Sequence, residues 1–102
     1  MPQYPLNLPV GANLGASITT NATTAISTGS ATVLAGYSCT NAGSAWTITF
    51  YNGNPGSGGV AISPALTVTA GLVELLQLRC PNGLYAVTAG TTAGALQVAY
   101  YG

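Results

Sequence analysis

The side chains that could carry out chemistry are few in this sequence of 102 residues. Glu74 and Arg79 are the only charged residues, and His, Lys and Asp are absent. General acid–base catalysis normally uses His, Asp, Glu or Lys, so Glu74 would have to act almost alone. Ser and Thr are plentiful, but no His or Lys is present to activate a hydroxyl. The residue inventory therefore predicts that the protein is not an enzyme.

The same inventory argues against metal, cofactor and nucleic-acid binding. Metal sites need clustered His, Cys or carboxylate ligands, and two Cys with one Glu make a poor set. A nucleic-acid partner requires several Lys or Arg side chains to neutralise phosphates, and the chain has one Arg. The Gly-rich segment 52–59 is followed by no Lys and no predicted helix, so it does not match a phosphate-binding loop. We expect no cofactor and no nucleic-acid partner.

The two cysteines, Cys39 and Cys80, are predicted to be buried thiols. The N-terminus has no basic start followed by an apolar run, and Gly, Pro, Asn and Thr interrupt every window that could form a membrane-spanning helix. These features predict synthesis in a cytoplasm and no membrane partner, and cytoplasmic thiols are kept reduced. A disulfide between the two residues, as neighbours across a sheet, is the alternative.

The elements that must position these residues are predicted to be short β-strands, of which residues 46–51 form the clearest. Trp46, Ile48 and Phe50 fall on one face, and the Thr and Tyr residues between them fall on the other. Successive strand residues point to opposite faces, so this segment has an apolar face for a core. The following Asn-Gly-Asn-Pro-Gly ends the strand, because Gly tolerates positive φ and Pro lacks a backbone donor.

Alternating apolar residues and turn signals predict further strands along the chain. These are residues 18–26, 31–39, 60–62, 66–68, 71–80, and a terminal hairpin that pairs 84–88 with 95–101 through the turn 89–94. Within 31–39, we expect Thr32, Leu34 and Gly36 on one face and Val33, Ala35, Tyr37 and Cys39 on the other.

Residues 71–80 contain good helix formers, so a short helix is possible, but their alternation and β-rich surroundings favour a strand. On a regular strand Glu74 and Arg79 lie on opposite faces. They could pair with charges on other molecules, or they could be solvated surface charges.

About seven or eight short strands at intervals near ten residues are typical of an all-β sandwich. We therefore predict a single small antiparallel β-sandwich over residues 17–102, either Ig-like or jelly-roll-like. Residues 1–16 are predicted to be an extended N-terminal arm, because its closely spaced prolines exclude a helix. The arm carries four alternating apolar side chains that would pack along its own sheet or reach a neighbouring subunit. They are Tyr4, Leu6, Leu8 and Val10.

Charge is the most unusual property of the composition. Charged residues make up 2% of the chain, against about 25% in typical soluble proteins. A net charge near zero favours association, so we expect the protein to work within an assembly.

Three segments together resemble a known group: residues 46–53, which end in a Tyr-Asn-Gly turn, residues 80–90, which contain Asn-Gly-Leu-Tyr-Ala-Val, and the closing residues 96–101. This order is similar to that of small β-sandwich proteins of tailed-bacteriophage virions, especially capsid decoration (cement) proteins and related head or neck subunits. The resemblance covers residues from about 31 to the end. Asn52 stands where those proteins often carry an acidic turn residue.

The resemblance implies a structural virion protein that binds the major capsid protein on the outer capsid surface. Many copies would be present, often as homotrimers at three-fold positions, where they stabilise contacts between capsomers. The candidate interface residues are the four apolar residues of the arm together with Glu74, Arg79, Tyr100 and Tyr101, since Tyr is enriched at interfaces. A neck or tail structural subunit is an alternative location in the virion.

A carbohydrate- or surface-binding module of similar architecture is the second hypothesis. Exposed tyrosines could stack on sugar rings. The candidates are Tyr37, Tyr51, Tyr85, Tyr100 and Tyr101. They are scattered among several predicted strands, and no carboxylate site accompanies them.

Overall fold

The computed structural model describes residues 11–102. These residues form nine strands and one turn of 3-10 helix, Pro55–Ser57. The strands are β1 (Asn13–Leu14), β2 (Thr23–Ser27), β3 (Thr32–Asn41), β4 (Thr47–Asn52), β5 (Val60–Ala61), β6 (Leu66–Thr67), β7 (Gly71–Cys80), β8 (Leu84–Ala89) and β9 (Ala95–Tyr101). Residues 71–80, where the sequence favours a strand over a short helix, form strand β7 with the predicted bounds.

The strands form two antiparallel sheets, so the prediction of an all-β sandwich is confirmed. The first sheet has the order β1-β9-β3-β7, and the second has the order β2-β8-β4-β5. Strand β6 also pairs with β4, at the end opposite to β5. Strands β5 and β6 are thus two halves of one edge strand, which is interrupted around Pro64, as expected for a residue that lacks a backbone donor.

The connections between the sheets define a jelly roll. If β5 and β6 count as one strand, every connection crosses between the sheets except the one from β4 to β5, which joins two neighbouring strands of the second sheet. Strand β1 pairs with β9, β2 pairs with β8, and β3 pairs with β7, so the strands of the first half pair with those of the second half in reverse order. This nested pairing distinguishes a jelly roll from an Ig-like sandwich.

The core between the sheets is centred on the strand that the sequence marks most clearly. Trp46, Ile48 and Phe50 are each at most 1% exposed. They belong to one buried cluster with Leu34 and Val98 of the first sheet. The predicted division of residues 46–51 into an apolar core face and a more exposed face is confirmed.

The predicted alternation of residues 31–39 is wrong beyond Leu34. Leu34 lies opposite Tyr100 of β9, whereas Gly36 lies opposite Ala99, so β3 advances two residues while β9 advances one. The extra residue, Ala35, is a β-bulge, which shifts the alternation by one position. Tyr37 and Cys39 are consequently buried in the same core as Leu34.

The predicted terminal hairpin is also wrong. Strand β8 pairs with β2 and β4 in the second sheet, whereas β9 pairs with β1 and β3 in the first. Both strands bury alternate side chains in the core. Two such strands can lie side by side or face each other across a sandwich, and here they face each other because residues 90–94 cross between the sheets.

The N-terminal part of the described chain differs from the predicted first strand. Residues 23–27 form β2, but before them Ile18 makes only an isolated bridge with Leu96. Residues 11–16, which fall within the predicted arm, contain β1, which pairs with β9 at the sheet edge. The remainder of the predicted arm lies outside the described residues, and so do its four candidate interface residues, Tyr4, Leu6, Leu8 and Val10.

Candidate functional site

The outer face of the first sheet carries a groove of about 550 Å³. The groove crosses all four strands of the sheet. Its lining residues are Ala12 and Leu14 at β1, Ala35, Gly36, Tyr37 and Ser38 of β3, Leu72, Val73, Glu74, Leu75 and Gln77 of β7, and Ala99 and Tyr101 of β9. Most of these side chains are small or apolar, and Ser38, Glu74 and Gln77 add polar groups, so the groove is a mixed surface that is more apolar than polar.

Large apolar side chains are exposed at both sides of this groove. Leu14 is 53% exposed on β1, and Leu72 is 86% exposed on β7. Leu76, also on β7, is 78% exposed. Single exposed leucines are ordinary, but Leu14 and Leu72 both line one groove, and exposed apolar surface that is continuous in this way marks sites that bind a partner.

Close backbone contact shapes the groove between β3 and β7. A Cβ atom added at Gly36 would lie 2.0 Å from the carbonyl oxygen of Val73. Only glycine allows the two strands to approach this closely, so the absence of a side chain at position 36 is required by the pairing.

The two charged residues lie on the same side of β7, contrary to the prediction of opposite faces. Glu74 and Arg79 are both exposed, and the regular alternation breaks at Leu76 and Gln77, which are exposed in succession. The break has a structural cause in the register with β3. From Glu74 to Leu78, β7 advances four residues while β3 advances only two. Because of this irregularity, the Arg79 side chain lies on the same exposed side of β7 as the Glu74 side chain.

The two predicted interface tyrosines are separated by the alternation of β9. Tyr100 is half-buried and packs against the core cluster, whereas Tyr101 lines the outer groove. Glu74 lines the same groove, so the structure brings Glu74 and Tyr101 to one surface. Arg79 is exposed further along β7 and is not part of the groove lining.

A smaller cleft of about 250 Å³ lies at one end of the second sheet. It contains the side chains of Asn52, Asn54, Asn82 and Tyr85, together with Ser57. The cleft forms where the turn after β4 meets the turn before β8, because Asn52 lies opposite Leu84 in the sheet. The Asn52 side-chain oxygen accepts a hydrogen bond of 2.9 Å from the backbone N–H of Asn82, which holds the two turns together.

An aromatic pair adjoins this cleft. Tyr51 of β4 lies directly opposite Tyr85 of β8 on the outer side of the second sheet, and both are partly exposed. The sequence pattern places these tyrosines on separate strands and does not predict the cleft, because the proximity of Tyr51 and Tyr85 depends on the pairing of β4 with β8. The two Asn-Gly turns were the only signal. Tyr37, by contrast, is 4% exposed, and its hydroxyl accepts a hydrogen bond of 3.1 Å from the backbone N–H of Thr69.

Both cysteines are buried free thiols, as predicted, and the alternative of a disulfide is wrong. Cys80 lies opposite Thr32 at one end of the β3–β7 ladder, and Cys39 lies opposite Gly71 at the other end. Seven residues of β3 separate these positions, which corresponds to roughly 23 Å at the rise of a β-strand. A disulfide requires Cα atoms within about 7 Å. Burial raises the pKa of the Cys80 thiol, although a backbone hydrogen bond at Leu34 acts in the opposite direction.

The groove and the cleft present different side chains. Within residues 11–102 there is no group of three or more His, Cys, Asp or Glu side chains placed to hold a metal ion. In the same residues no helix has the length and apolar character needed to cross a membrane. The groove offers apolar contacts with one carboxylate, and the cleft offers amides beside aromatic rings.

Comparison with known proteins identifies no relative. No protein-family model matches the chain. Neither a curated protein nor a solved structure matches it significantly.

Proposed function

We propose that the protein is a structural virion protein, a capsid decoration protein that binds the major capsid protein on the outer capsid surface and stabilises contacts between capsomers. The observation that carries the proposal is the apolar groove on the outer face of the first sheet, on a chain with two charged residues. Such a surface favours contact with a partner over repulsion from it. The jelly-roll order of the strands is one that viral capsid domains use.

Attachment through the groove would bury Leu14 and Leu72 against the capsid. Apolar burial contributes about 25 cal/mol per Å² removed from water, so two exposed leucines are substantial contributors. The proposal includes a homotrimer on the capsid, which the resemblance implies. It does not require Arg79 or the described tyrosines other than Tyr101 to contact the capsid.

Cosedimentation with purified capsids that lack the protein tests this proposal. We expect the wild-type chain to bind saturably, and Leu72→Ser to weaken binding by about tenfold or more, since burying a leucine contributes about 1.5–3 kcal/mol. Val60→Ser is the matched control, because Val60 is 65% exposed but lies on the second sheet. Equal binding by both variants would reject the groove as the attachment surface.

Salt provides a second test of the attachment mode. Apolar and hydrogen-bonded contacts are not screened by ions, so we expect capsid binding to vary little between low and high salt. Loss of attachment at high salt would contradict this mode. Fractionation of intact virions would distinguish a decoration protein of the head from a neck or tail subunit.

A carbohydrate-binding module is the second candidate, and the Tyr51–Tyr85 pair beside the Asn-lined cleft favours it. Aromatic faces and side-chain amides together suit the apolar and hydroxyl groups of a sugar ring. Binding to a glycan array that Tyr85→Ala abolishes, and that Thr49→Ala on the same sheet preserves, would support this function. Absence of glycan binding together with retention on capsids would favour the virion role.

A further inference from the structure

Strand β7 is the longest edge strand among the described residues of this sandwich. It contains ten residues, and within residues 11–102 it pairs only with β3. The other edge strands are shorter: β1 has two residues, β2 has five, and β5 and β6 have two each. An exposed edge of this length presents a row of backbone donors and acceptors that can pair with another strand.

The only two charged residues of the chain lie on this edge strand, and they have opposite signs. Glu74 lies two residues before Leu76 and Arg79 lies two residues after Gln77, so the midpoint between the two charges coincides with the break in the alternation of β7. Both are exposed on the same side of β7 because of the irregularity at that midpoint. They are therefore arranged symmetrically about the centre of the irregular segment.

We propose that β7 pairs antiparallel with β7 of a second copy about a two-fold axis between Leu76 and Gln77. In this register Glu74 lies opposite the partner's Arg79, and Arg79 lies opposite the partner's Glu74. Leu75 lies opposite the partner's Leu78 on the inward side. The two four-stranded sheets then continue as one sheet of eight strands across the dimer.

The irregularity at Leu76 and Gln77 makes this register possible. Residues directly opposite each other in an antiparallel pair point to the same face of the sheet. On a regular strand, two residues five positions apart point to opposite faces, so they could not become such a pair in a two-fold dimer. Because the alternation shifts once between Glu74 and Arg79, the two face the same way and can pair across the axis.

No other charged side chain lies on β7 to oppose this contact. Neighbouring exposed side chains are Leu72, Leu76 and Gln77, so the second copy meets apolar and neutral groups. Each opposite-charge pair across two strands strengthens association by a factor of about 1.4 to 5. The dimer contains two such pairs by symmetry. Charges that served only to prevent pairing of this edge with other strands would not need opposite signs at matching positions.

Analytical ultracentrifugation and native mass spectrometry of the purified full chain test the proposal. We expect a reversible dimer, and we expect Glu74→Arg and Arg79→Glu each to weaken it by about tenfold or more, because each places like charges opposite each other twice. The double variant, with both substitutions, should restore dimerisation. Circular dichroism and thermal melting establish that each variant is folded, as expected for exposed positions.

A mixture of the two single variants gives the sharpest result. Arg at position 74 of one chain then faces Glu at position 79 of the other, and Arg79 of the first chain faces Glu74 of the second. We therefore expect a heterodimer that exceeds either homodimer by about tenfold or more, and the mass difference between the variants makes it visible. Glu74→Gln should be intermediate between the wild type and Glu74→Arg, since it removes attraction without adding repulsion.

The proposal is overturned if the wild type remains monomeric at high concentration. In that case a segment other than a second β7, such as residues 1–10, pairs with the edge, or the two charges only prevent association through it. It is also overturned if the single variants dimerise like the wild type and form no preferred heterodimer. These measurements use the purified chain alone, so they do not depend on capsid attachment. A two-fold contact through β7 and a three-fold arrangement on a capsid would need different surfaces.

Discussion

Trp46 donates a hydrogen bond of 2.9 Å from its indole nitrogen to the side-chain oxygen of Asn21. Trp46 is 1% exposed, so this bond satisfies a polar group that burial would otherwise leave unpaired. Asn21 also donates a hydrogen bond of 2.9 Å from its side-chain nitrogen to the carbonyl oxygen of Gly90. One amide thus connects the segment before β2 to the centre of the core and to the β8–β9 connection.

Replacement of Asn21 by Ala is expected to lower the free energy of unfolding by about 1–3 kcal/mol, because the buried indole N–H loses its acceptor. Asn21→Asp is the comparison variant, since it retains an oxygen for Trp46 but replaces the donor to Gly90 by a second, negatively charged oxygen. Urea unfolding followed by Trp46 fluorescence measures both. If Asn21→Ala changed the free energy of unfolding little, the bond to Trp46 would not contribute to stability.

Gly36→Ala is expected to lower the stability by about 3 kcal/mol or to prevent folding, because overpacking against backbone cannot be relieved by a side-chain rotation. The added Cβ would lie 2.0 Å from the Val73 carbonyl oxygen. Gly29→Ala is the control, since its nearest neighbour would be the Thr32 hydroxyl at 3.7 Å. Thermal melting compares the two. A small effect at position 36 would mean that β3 and β7 are further apart than described.

Thr88→Val is expected to destabilise the fold by about 1–3 kcal/mol although the two side chains have nearly the same shape. The buried Thr88 hydroxyl donates a hydrogen bond of 2.7 Å to the Thr20 carbonyl and accepts one of 3.1 Å from the Ala22 N–H. Thr49→Val, on the more exposed face of β4, should change stability little. If chemical denaturation gave equal values for the two, the hydroxyl contacts of Thr88 would not contribute.

The Cys80 thiol is expected to make stability fall at alkaline pH. Burial raises the pKa of the folded-state thiol above its ordinary value of 9.0, whereas an unfolded chain exposes the thiol to water. The unfolded state therefore loses its proton first as the pH rises. The stabilisation is complete below the unfolded pKa, and it is lost as the pH rises through the folded pKa.

Denaturant unfolding of the reduced protein between pH 7 and pH 11 measures this dependence, and Cys80→Ala should reduce the alkaline decline relative to the wild type. Cys39→Ala is the comparison, since it changes the other buried thiol. Thiol-specific reagents should modify both cysteines slowly in the folded protein and rapidly in denaturant. An unchanged alkaline profile in Cys80→Ala would show that the Cys80 thiol does not cause the decline.

Several features of the fold could be predicted because they depend on local pattern. Alternation of Trp46, Ile48 and Phe50 with polar residues determines a half-buried strand in any sheet. The turn residues between the strands and the scarcity of helix-forming segments, for which residues 71–80 are the one candidate, determine the all-β class. The near absence of charge determines a surface suited to association, independently of how the strands are arranged.

Only the tertiary structure decided which strands are neighbours and which residues share a surface. Strands β8 and β9 have the same alternating pattern whether they form a hairpin or face each other across the core, so the pattern could not distinguish the two. The bulges at Ala35 and at Leu76–Gln77 depend on the register with adjacent strands, and each reversed the predicted orientation of later residues. Tyr51 meets Tyr85, and Glu74 shares a side with Arg79, because pairing over long sequence distances is chosen by the packing of the whole sandwich.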